Sequence, residues 1–321
     1  MKILSILLIA LAIIILLIFI ICIFVFNQLV WYKPIRIPDF ITKAIACSPP
    51  PEGHSGDLRR AYCKMNDLPL EALTLTADNG ETLKATLYVP EKNNGKIIIA
   101  CHGARSTGLG EFCLMVNYFI DEGFTVLMPE HRGCGISDGK FMGYGTHESK
   151  DTLLWLKYAE KRFPDLDIFL LGVSMGGATV LMMSDKIEKG EVKGIVSDCA
   201  YTSAWKEFSY QLRTSFHLPD FPALYICDLL CRIFCGYSFK QAAPEESVKN
   251  AKAPILFIHG KADNYVPYYM EKELYDACSS EKYIVGIEDA VHAANYYTDR
   301  KTYEKTLNEF FERYSHSGVQ K

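Results

Sequence analysis

The sequence predicts an α/β protein in which helices flank a mainly parallel central sheet, with a helical cap insertion and one N-terminal transmembrane helix. Three observations lead to this prediction. From about residue 73 onward, apolar strand-like runs alternate with segments of helical periodicity. An aromatic-rich stretch at 204–244 interrupts the alternation. An almost unbroken apolar run opens the chain, whose 321 residues are enough to bury a large core.

Residues 1–32 form the predicted membrane anchor. Between Ile3 and Phe26 the only residue that is not apolar is Ser5. As a helix this run of about 24 residues extends roughly 36 Å, enough to cross a bilayer. It is longer than the apolar core of a signal peptide, and no small-residue cleavage site follows it, which favours an uncleaved single-pass anchor. The flanking basic residues only weakly favour a cytoplasmic domain, so the side of the membrane stays open.

Residues 33–69 are predicted to be a linker, because prolines and glycines are concentrated there. The folded domain is predicted to span 70–316. The net charge of −4, without a basic patch, excludes nucleic acid as an expected partner.

The regular elements of the domain follow from apolar runs and turn signals. A hairpin is indicated by the turn Asp78-Asn79-Gly80 between two short strand patterns. Helices are expected at Gly110–Glu122, His147–Phe163 and Met175–Ile187. Eight strands are expected, at Leu73–Ala77, Leu83–Val89, Ile97–Cys101, Phe124–Met128, Asp167–Gly172, Val192–Val196, Ile255–His259 and Tyr283–Ile287.

The stretch at 204–244 is interpreted as a cap over the active site, because so many aromatic residues in an insertion need a surface to cover. An ordinary long crossover connection is the alternative. Cys227, Cys231 and Cys235 recur at a spacing of four, which places them on one helix face. We interpret them as buried helix cysteines, because a metal site needs a fourth ligand and none is evident nearby.

Gly172-Val173-Ser174-Met175-Gly176 matches the pattern G-x-S-x-G. A predicted strand precedes it and a small-residue helix follows it, which is the context of a nucleophile elbow. Two glycines allow a sharp strand-to-helix turn from which the Ser174 hydroxyl projects. Ser174 is therefore the predicted nucleophile.

A serine needs a base to become nucleophilic near neutral pH. Two later strands end next to suitable groups: Asp263 follows one, and His292 follows the other. His292 is predicted to accept the Ser174 proton while Asp263 holds the opposite ring N–H. Glu288 and Asp289 are rival acids, but they lie too close to His292 in sequence for an arrangement on separate loops.

A tetrahedral intermediate also needs two hydrogen-bond donors aimed at its oxyanion. The backbone N–H of Met175 is one predicted donor, and that of Ala104, after the strand Ile97–Cys101, is the other. His102 is interpreted as a support for this loop. Arg105 faces either substrate or solvent, and the sequence does not decide between them.

Together these residues resemble the α/β-hydrolase superfamily over about residues 70–316. Within it they are similar to bacterial serine aminopeptidase-like (S33-type) hydrolases, which include membrane-anchored members. Glu130 stands where those relatives often have Asp, a departure that leaves the triad untouched. The resemblance implies hydrolysis of an ester, amide or thioester through an acyl-enzyme. It rests on the strand end His102-Gly103-Ala104-Arg105, the loop Arg132–Ser137, the elbow at Ser174, the strand end at Asp263, and His292-Ala293 followed by Tyr296, Asp299 and Tyr303.

We therefore expect a membrane-anchored serine hydrolase that cleaves an acyl or carboxylic ester, acting on a small-molecule ester or a peptide without metal or organic cofactor. A serine peptidase is the alternative within the same chemistry. An acyltransferase would differ only in using an alcohol instead of water to resolve the acyl-enzyme. A non-catalytic scaffold of this fold is disfavoured because Ser174, Asp263 and His292 are all present. The oligomeric state stays open.

Overall fold

The computed structural model describes residues 2–31 and 55–315. Its centre is one sheet in the order β1-β2-β4-β3-β5-β6-β7-β8. The two pairings β1–β2 and β2–β4 are antiparallel, and all other neighbours are parallel. The strands are β1 Leu70–Thr76, β2 Thr82–Tyr88, β3 Lys96–Cys101, β4 Thr125–Glu130, β5 Asp167–Val173, β6 Gly194–Asp198, β7 Ile255–Gly260 and β8 Lys282–Ile287.

Helices connect and cover these strands, with short 3₁₀ turns at Cys113–Met115 and Val248–Asn250. The α-helices are α1 Lys2–Val30, α2 Ser55–Asn66, α3 Gly108–Phe112, α4 Val116–Glu122, α5 Glu148–Arg162, α6 Met175–Leu181, α7 Ala204–Thr214, α8 Ala223–Cys235, α9 Pro244–Ser247, α10 Tyr268–Ala277, α11 Asn295–Thr298 and α12 Arg300–Tyr314.

Both faces of the sheet are buried, which explains why its central strands are continuously apolar. In β3, Ile98 and Ala100 join the core on one face, together with residues of α4 and α12. Ile97 and Ile99 join the core on the other face, with residues of α5, α6 and α10. Successive side chains of a strand point to opposite faces, so one apolar run supplies both cores. The three-layer α/β fold with a mainly parallel sheet is confirmed.

The predicted hairpin is confirmed, with Gly80 in the left-handed region at φ +85° between β1 and β2. The helical pattern expected at Gly110–Glu122 corresponds to α3 and α4, which a 3₁₀ turn separates. Four side chains around this turn are buried, so the two helices and the turn all face the core. These side chains are Phe112, Cys113, Met115 and Val116.

The helix after Ser174 is also shorter than expected, since α6 ends at Leu181 rather than Ile187. Beyond Leu181 some backbone hydrogen bonds span three residues instead of the four of an α-helix, for example from the Met183 N–H to the Val180 carbonyl. Met183 and Ile187 remain fully buried. The apolar spacing was therefore correct, but it does not distinguish a helix from a chain of turns.

Between β6 and β7 the chain forms α7 and α8, and both contribute to a third apolar cluster. Phe208 of α7 and Leu230 of α8 belong to this cluster together with Met175, the residue after Ser174. The insertion therefore packs at the end of the sheet where Ser174 lies. All three cysteines of α8 are buried, as expected.

Helix α1 is long and apolar enough to cross a membrane, and most of its side chains are exposed. Its carboxyl end is joined to the domain by hydrogen bonds. The Met142 N–H donates to the Val30 carbonyl at 2.8 Å, and the Tyr144 hydroxyl donates to the Leu29 carbonyl at 2.6 Å.

The predicted linker at 33–69 lies largely outside the described residues. The part that is described begins with α2, Ser55–Asn66, and reaches β1 at Leu70. The division into anchor, linker and domain therefore stays a prediction.

Candidate active site

Ser174 lies on a sharp turn between β5 and α6. Its backbone adopts φ 55° and ψ −116°, a conformation that a residue with a side chain rarely adopts. The Ser174 N–H donates to the Asp198 carbonyl at 2.7 Å and ties the turn to the end of β6. The strained turn is thus held by the neighbouring strand.

The two glycines of the motif are required by the close approach of backbone segments. A Cβ at Gly172 would lie 2.1 Å from the Gly176 carbonyl oxygen. A Cβ at Gly176 would lie 1.9 Å from the Cys101 carbonyl oxygen. Both distances are far below any real carbon–oxygen contact, so neither position tolerates a side chain without backbone movement.

The structure brings the three predicted catalytic side chains into one line. Ser174 Oγ lies 2.9 Å from His292 Nε2, and His292 Nδ1 lies 2.7 Å from Asp263 Oδ2. They come from segments that follow β5, β8 and β7, which all end at the same edge of the sheet. Ser174 remains partly exposed, whereas Asp263 and His292 are buried.

Backbone groups of the following turn fix the position of Asp263. Its Oδ1 accepts the N–H groups of Tyr265 and Val266, each at 2.9 Å. Burial alone would raise the pKa of the carboxyl, but hydrogen bonds from His259 and His292 outweigh it and lower the pKa to about 2. Asp263 is therefore ionised near neutral pH and oriented toward His292.

Two buried groups behind Asp263 have no role predicted from the sequence. His259 Nε2 donates to the Val266 carbonyl at 2.8 Å and lies 3.2 Å from Asp263 Oδ2, while its Nδ1 lies 3.5 Å from Glu271 Oε2. Burial lowers the pKa of His259, but the two carboxylates raise it to about 10. Asp263 thus has two imidazole neighbours, His292 and the positively charged His259.

Sequence signals for these two groups differ. His259 is part of the strand-end motif that leads to Asp263, so the sequence predicts its place at the strand end but not its contacts. Glu271 lies within α10, and its periodic position there does not distinguish it from a surface residue. Burial raises the pKa of Glu271 to about 7.

The turn that carries Ala104 lies beside Ser174. The Ser106 N–H donates to the Gly103 carbonyl across it, and a Cβ at Gly103 would lie 3.6 Å from Ser174 Cβ. Met175 is the first residue of α6, where a backbone N–H has no acceptor within the helix. Both predicted donors are therefore close to the nucleophile, and their oxyanion role stays a prediction.

His102 supports this turn from below, in agreement with its interpretation. Its Nδ1 donates to the Gly103 carbonyl at 2.7 Å, and its Nε2 accepts the His131 N–H at 3.0 Å. Burial lowers the pKa of His102 to about 4, so the ring is neutral and carries one proton, as these two bonds require.

Three further predicted groups have simple outcomes. Arg105 is exposed to solvent, one of its two expected environments, and its guanidinium also contacts the carbonyl groups of Gln28 and Trp31 at the end of α1. Glu288 forms an exposed ion pair with Lys261, so it is not the acid that holds His292. Asp289 is exposed.

Among the described residues, one group of three potential metal ligands contains Cys199, Asp263 and His292. The last two are already hydrogen-bonded to each other. Burial raises the pKa of the Cys199 thiol well above its ordinary value, which disfavours the thiolate that binds metals. The expectation that no metal or organic cofactor is needed stays a prediction.

A family model described as the α/β-hydrolase fold matches residues 96–218. An uncharacterized protein, YqkD of Bacillus subtilis, is 29% identical over 77% of this chain and 80% of its own length. An uncharacterized membrane protein of Saccharomyces cerevisiae, YNL320W, is 26% identical over 66% of this chain and 69% of its own length. The solved structure of the Pyrococcus furiosus esterase Pf2001 is similar, with a TM-score of 0.63 and 18% identity, covering 84% of this chain and 97% of that one.

The sheet order, the matching family model and the similar structure show the α/β-hydrolase fold. The family model over residues 96–218 and these relatives support the α/β-hydrolase superfamily. More specific membership in the S33-type group remains a proposal.

Proposed function

We propose that this protein is a membrane-anchored serine hydrolase that cleaves an acyl or carboxylic ester through an acyl-enzyme on Ser174. The line from Ser174 through His292 to Asp263, with distances of 2.9 and 2.7 Å, is the observation that carries the proposal. A serine in this arrangement has a base within reach, and the base has an oriented partner.

In the proposed reaction, Ser174 Oγ attacks the substrate carbonyl carbon as His292 Nε2 takes its proton. Asp263 keeps the His292 Nδ1–H in place and stabilises the imidazolium that forms. The N–H groups of Met175 and Ala104 would stabilise the oxyanion. The protonated His292 then donates to the leaving alcohol, and water repeats the sequence to release the acid.

The membrane anchor of the proposal is α1, whose exposed apolar side chains suit a hydrocarbon environment. The name of the yeast relative, which describes a membrane protein, supports it. The insertion with α7 and α8 is proposed as the cap. Gln211 of α7 donates to the Tyr265 carbonyl, and the Tyr265 ring contacts His292 with centroids 4.9 Å apart. Apolar cap residues near the triad suit an acyl or aromatic group of the substrate.

The nucleophile is tested by Ser174→Ala in the full chain. We expect labelling by a fluorophosphonate probe to be abolished, because only an activated serine attacks the phosphorus centre. Ser279→Ala, at an exposed position before β8, is the matched control and should keep full labelling. Unchanged labelling of Ser174→Ala would overturn the assignment of the nucleophile.

The substrate class is tested with p-nitrophenyl esters of graded chain length beside aminoacyl anilides. We expect hydrolysis of the esters, with the preferred length reporting the size of the acyl pocket. Faster turnover of the anilides would favour the peptidase alternative, and turnover that needs an added alcohol would favour an acyltransferase.

A further inference from the structure

The outer side of the cap carries large apolar side chains that remain largely exposed in the described part of the chain. Each is at least 46% exposed, and four of them lie on α8 itself. A concentrated apolar patch on a protein surface usually marks an interaction site. We call this set the cap outer face; it consists of Phe216, Phe221, Tyr225, Leu229, Ile233 and Phe234.

Helix α8 packs directly on α1. Cys22, Phe26 and Val30 recur every four residues on one face of α1, and all three are buried. The Cys227 thiol lies 3.5 Å from the Cys22 carbonyl oxygen, and the rings of Phe26 and Phe234 are 6.4 Å apart. The cap outer face is therefore continuous with the exposed apolar surface of α1.

The contact also fixes the depth of α8 relative to a bilayer. From Ile3 to Cys22, α1 rises roughly 28 Å, close to the ~30 Å thickness of a hydrocarbon core. Helix α8 meets α1 where α1 leaves that core, at the level of the lipid headgroups. At this depth an amphipathic helix buries apolar side chains ~5–10 Å into the boundary between headgroups and acyl chains.

The charges of α8 do not oppose such a position. Its two charged residues are Asp228 and Arg232, and they pair with each other through a 3.0 Å bond from Nε to Oδ2. Asp228 is buried and also accepts the Ser238 hydroxyl and the Phe239 N–H. The helix therefore brings no unpaired charge to the lipid surface.

We propose that the cap outer face is a second membrane-contact surface, which lies in the leaflet where the carboxyl end of α1 leaves the hydrocarbon core. This inference rests on the proposed anchor, and it deepens the proposed function: the substrate would be an acyl ester that reaches the triad from the lipid surface. The end of α1 contacts Tyr144 and also Arg105, which lies in the turn beside Ser174. The side of the domain that carries Ser174 would thereby lie close to the membrane.

The proposal is tested with Ile233→Trp in the full chain, reconstituted in nanodiscs of phosphatidylcholine with or without brominated acyl chains. We expect the emission of the added Trp to fall roughly twofold in brominated lipid, because its depth brings it near the brominated positions. Lys161→Trp is the matched control. It lies at the exposed end of α5, near the amino ends of the strands and away from Ser174. We expect its added Trp to be unaffected.

Absence of quenching in Ile233→Trp would overturn the proposal. A second copy of the chain, or residues 32–54, would then be the alternative occupant of the cap outer face. Leu229→Trp provides a second measurement if Ile233→Trp does not fold. Fluorophosphonate labelling of the same samples reports the proposed hydrolase function separately, and retention on the nanodisc reports the anchor. Labelled, retained but unquenched protein would refute this inference alone.

Discussion

Gly176→Ala tests the tightest contact of the candidate active site. The added Cβ would lie 1.9 Å from the Cys101 carbonyl oxygen and 2.7 Å from that of His102. Because a carbon–oxygen contact below ~3 Å is not tolerated, α6 and the end of β3 must separate by about 1 Å. Overpacking of this kind costs about 1–3 kcal/mol of stability.

The same movement also changes the distance between the two proposed oxyanion donors. Met175 precedes Gly176, whereas Ala104 follows the strand end that carries Cys101 and His102. Separation of the two segments thus moves the two proposed oxyanion donors apart. A misplacement of about 1 Å costs on the order of 100-fold in rate. We expect kcat for a p-nitrophenyl ester to fall by about that factor, because the donors act mainly on the transition state.

The assay compares steady-state kinetics with thermal melting. Leu156→Ala is the control, because Leu156 is fully buried in the core beneath α5 and its truncation costs about 2–5 kcal/mol. It should lower the melting temperature while kcat stays near that of the parent. A Gly176→Ala protein that keeps its kcat, or that loses no more activity than the control, would refute the geometric reasoning.

Two further predictions concern Asp263. Asp263→Asn should lower kcat by about 10⁴-fold with little change in KM, because an amide no longer holds the Nδ1–H tautomer of His292; steady-state kinetics check this, and a loss below tenfold would contradict it. The depressed pKa of Asp263, about 2, also links stability to pH. Its ionised form contributes about 2–3 kcal/mol above the unfolded-state pKa near 4, and this contribution is lost as the pH falls from about 4 to about 2. Melting curves across that range should show a smaller acid destabilisation in Asp263→Asn than in the parent, and equal slopes would argue against the linkage.

The sequence was sufficient to predict the fold because each central strand is a short apolar run that ends in a recognisable turn. Ser174, Asp263 and His292 were found in the same way, since each follows a strand and parallel strands end at one edge of the sheet. Each of these predictions combines a local sequence pattern with the rule that parallel strands end at the same edge of a sheet. The structure confirms that they converge within hydrogen-bonding distance.

The remaining features depend on contacts between segments that are distant in sequence. His259 contacts Glu271 because α10 packs against β7, and no periodicity within either element indicates that pairing. Arg105 reaches the end of α1 across more than 70 residues. The break between α3 and α4 leaves no mark in the apolar spacing, because buried residues continue through the 3₁₀ turn.

The bonds at the end of α1 have a practical consequence for biochemical work. A chain shortened to remove α1 would leave the Met142 N–H and the Tyr144 hydroxyl without their acceptors, and it would uncover the side of α8 that holds Cys227. Arg105 would lose its carbonyl partners beside Ser174. Removal of α1 would therefore alter the surroundings of the candidate active site, and the chain that retains α1 is the appropriate reference for measuring its specificity.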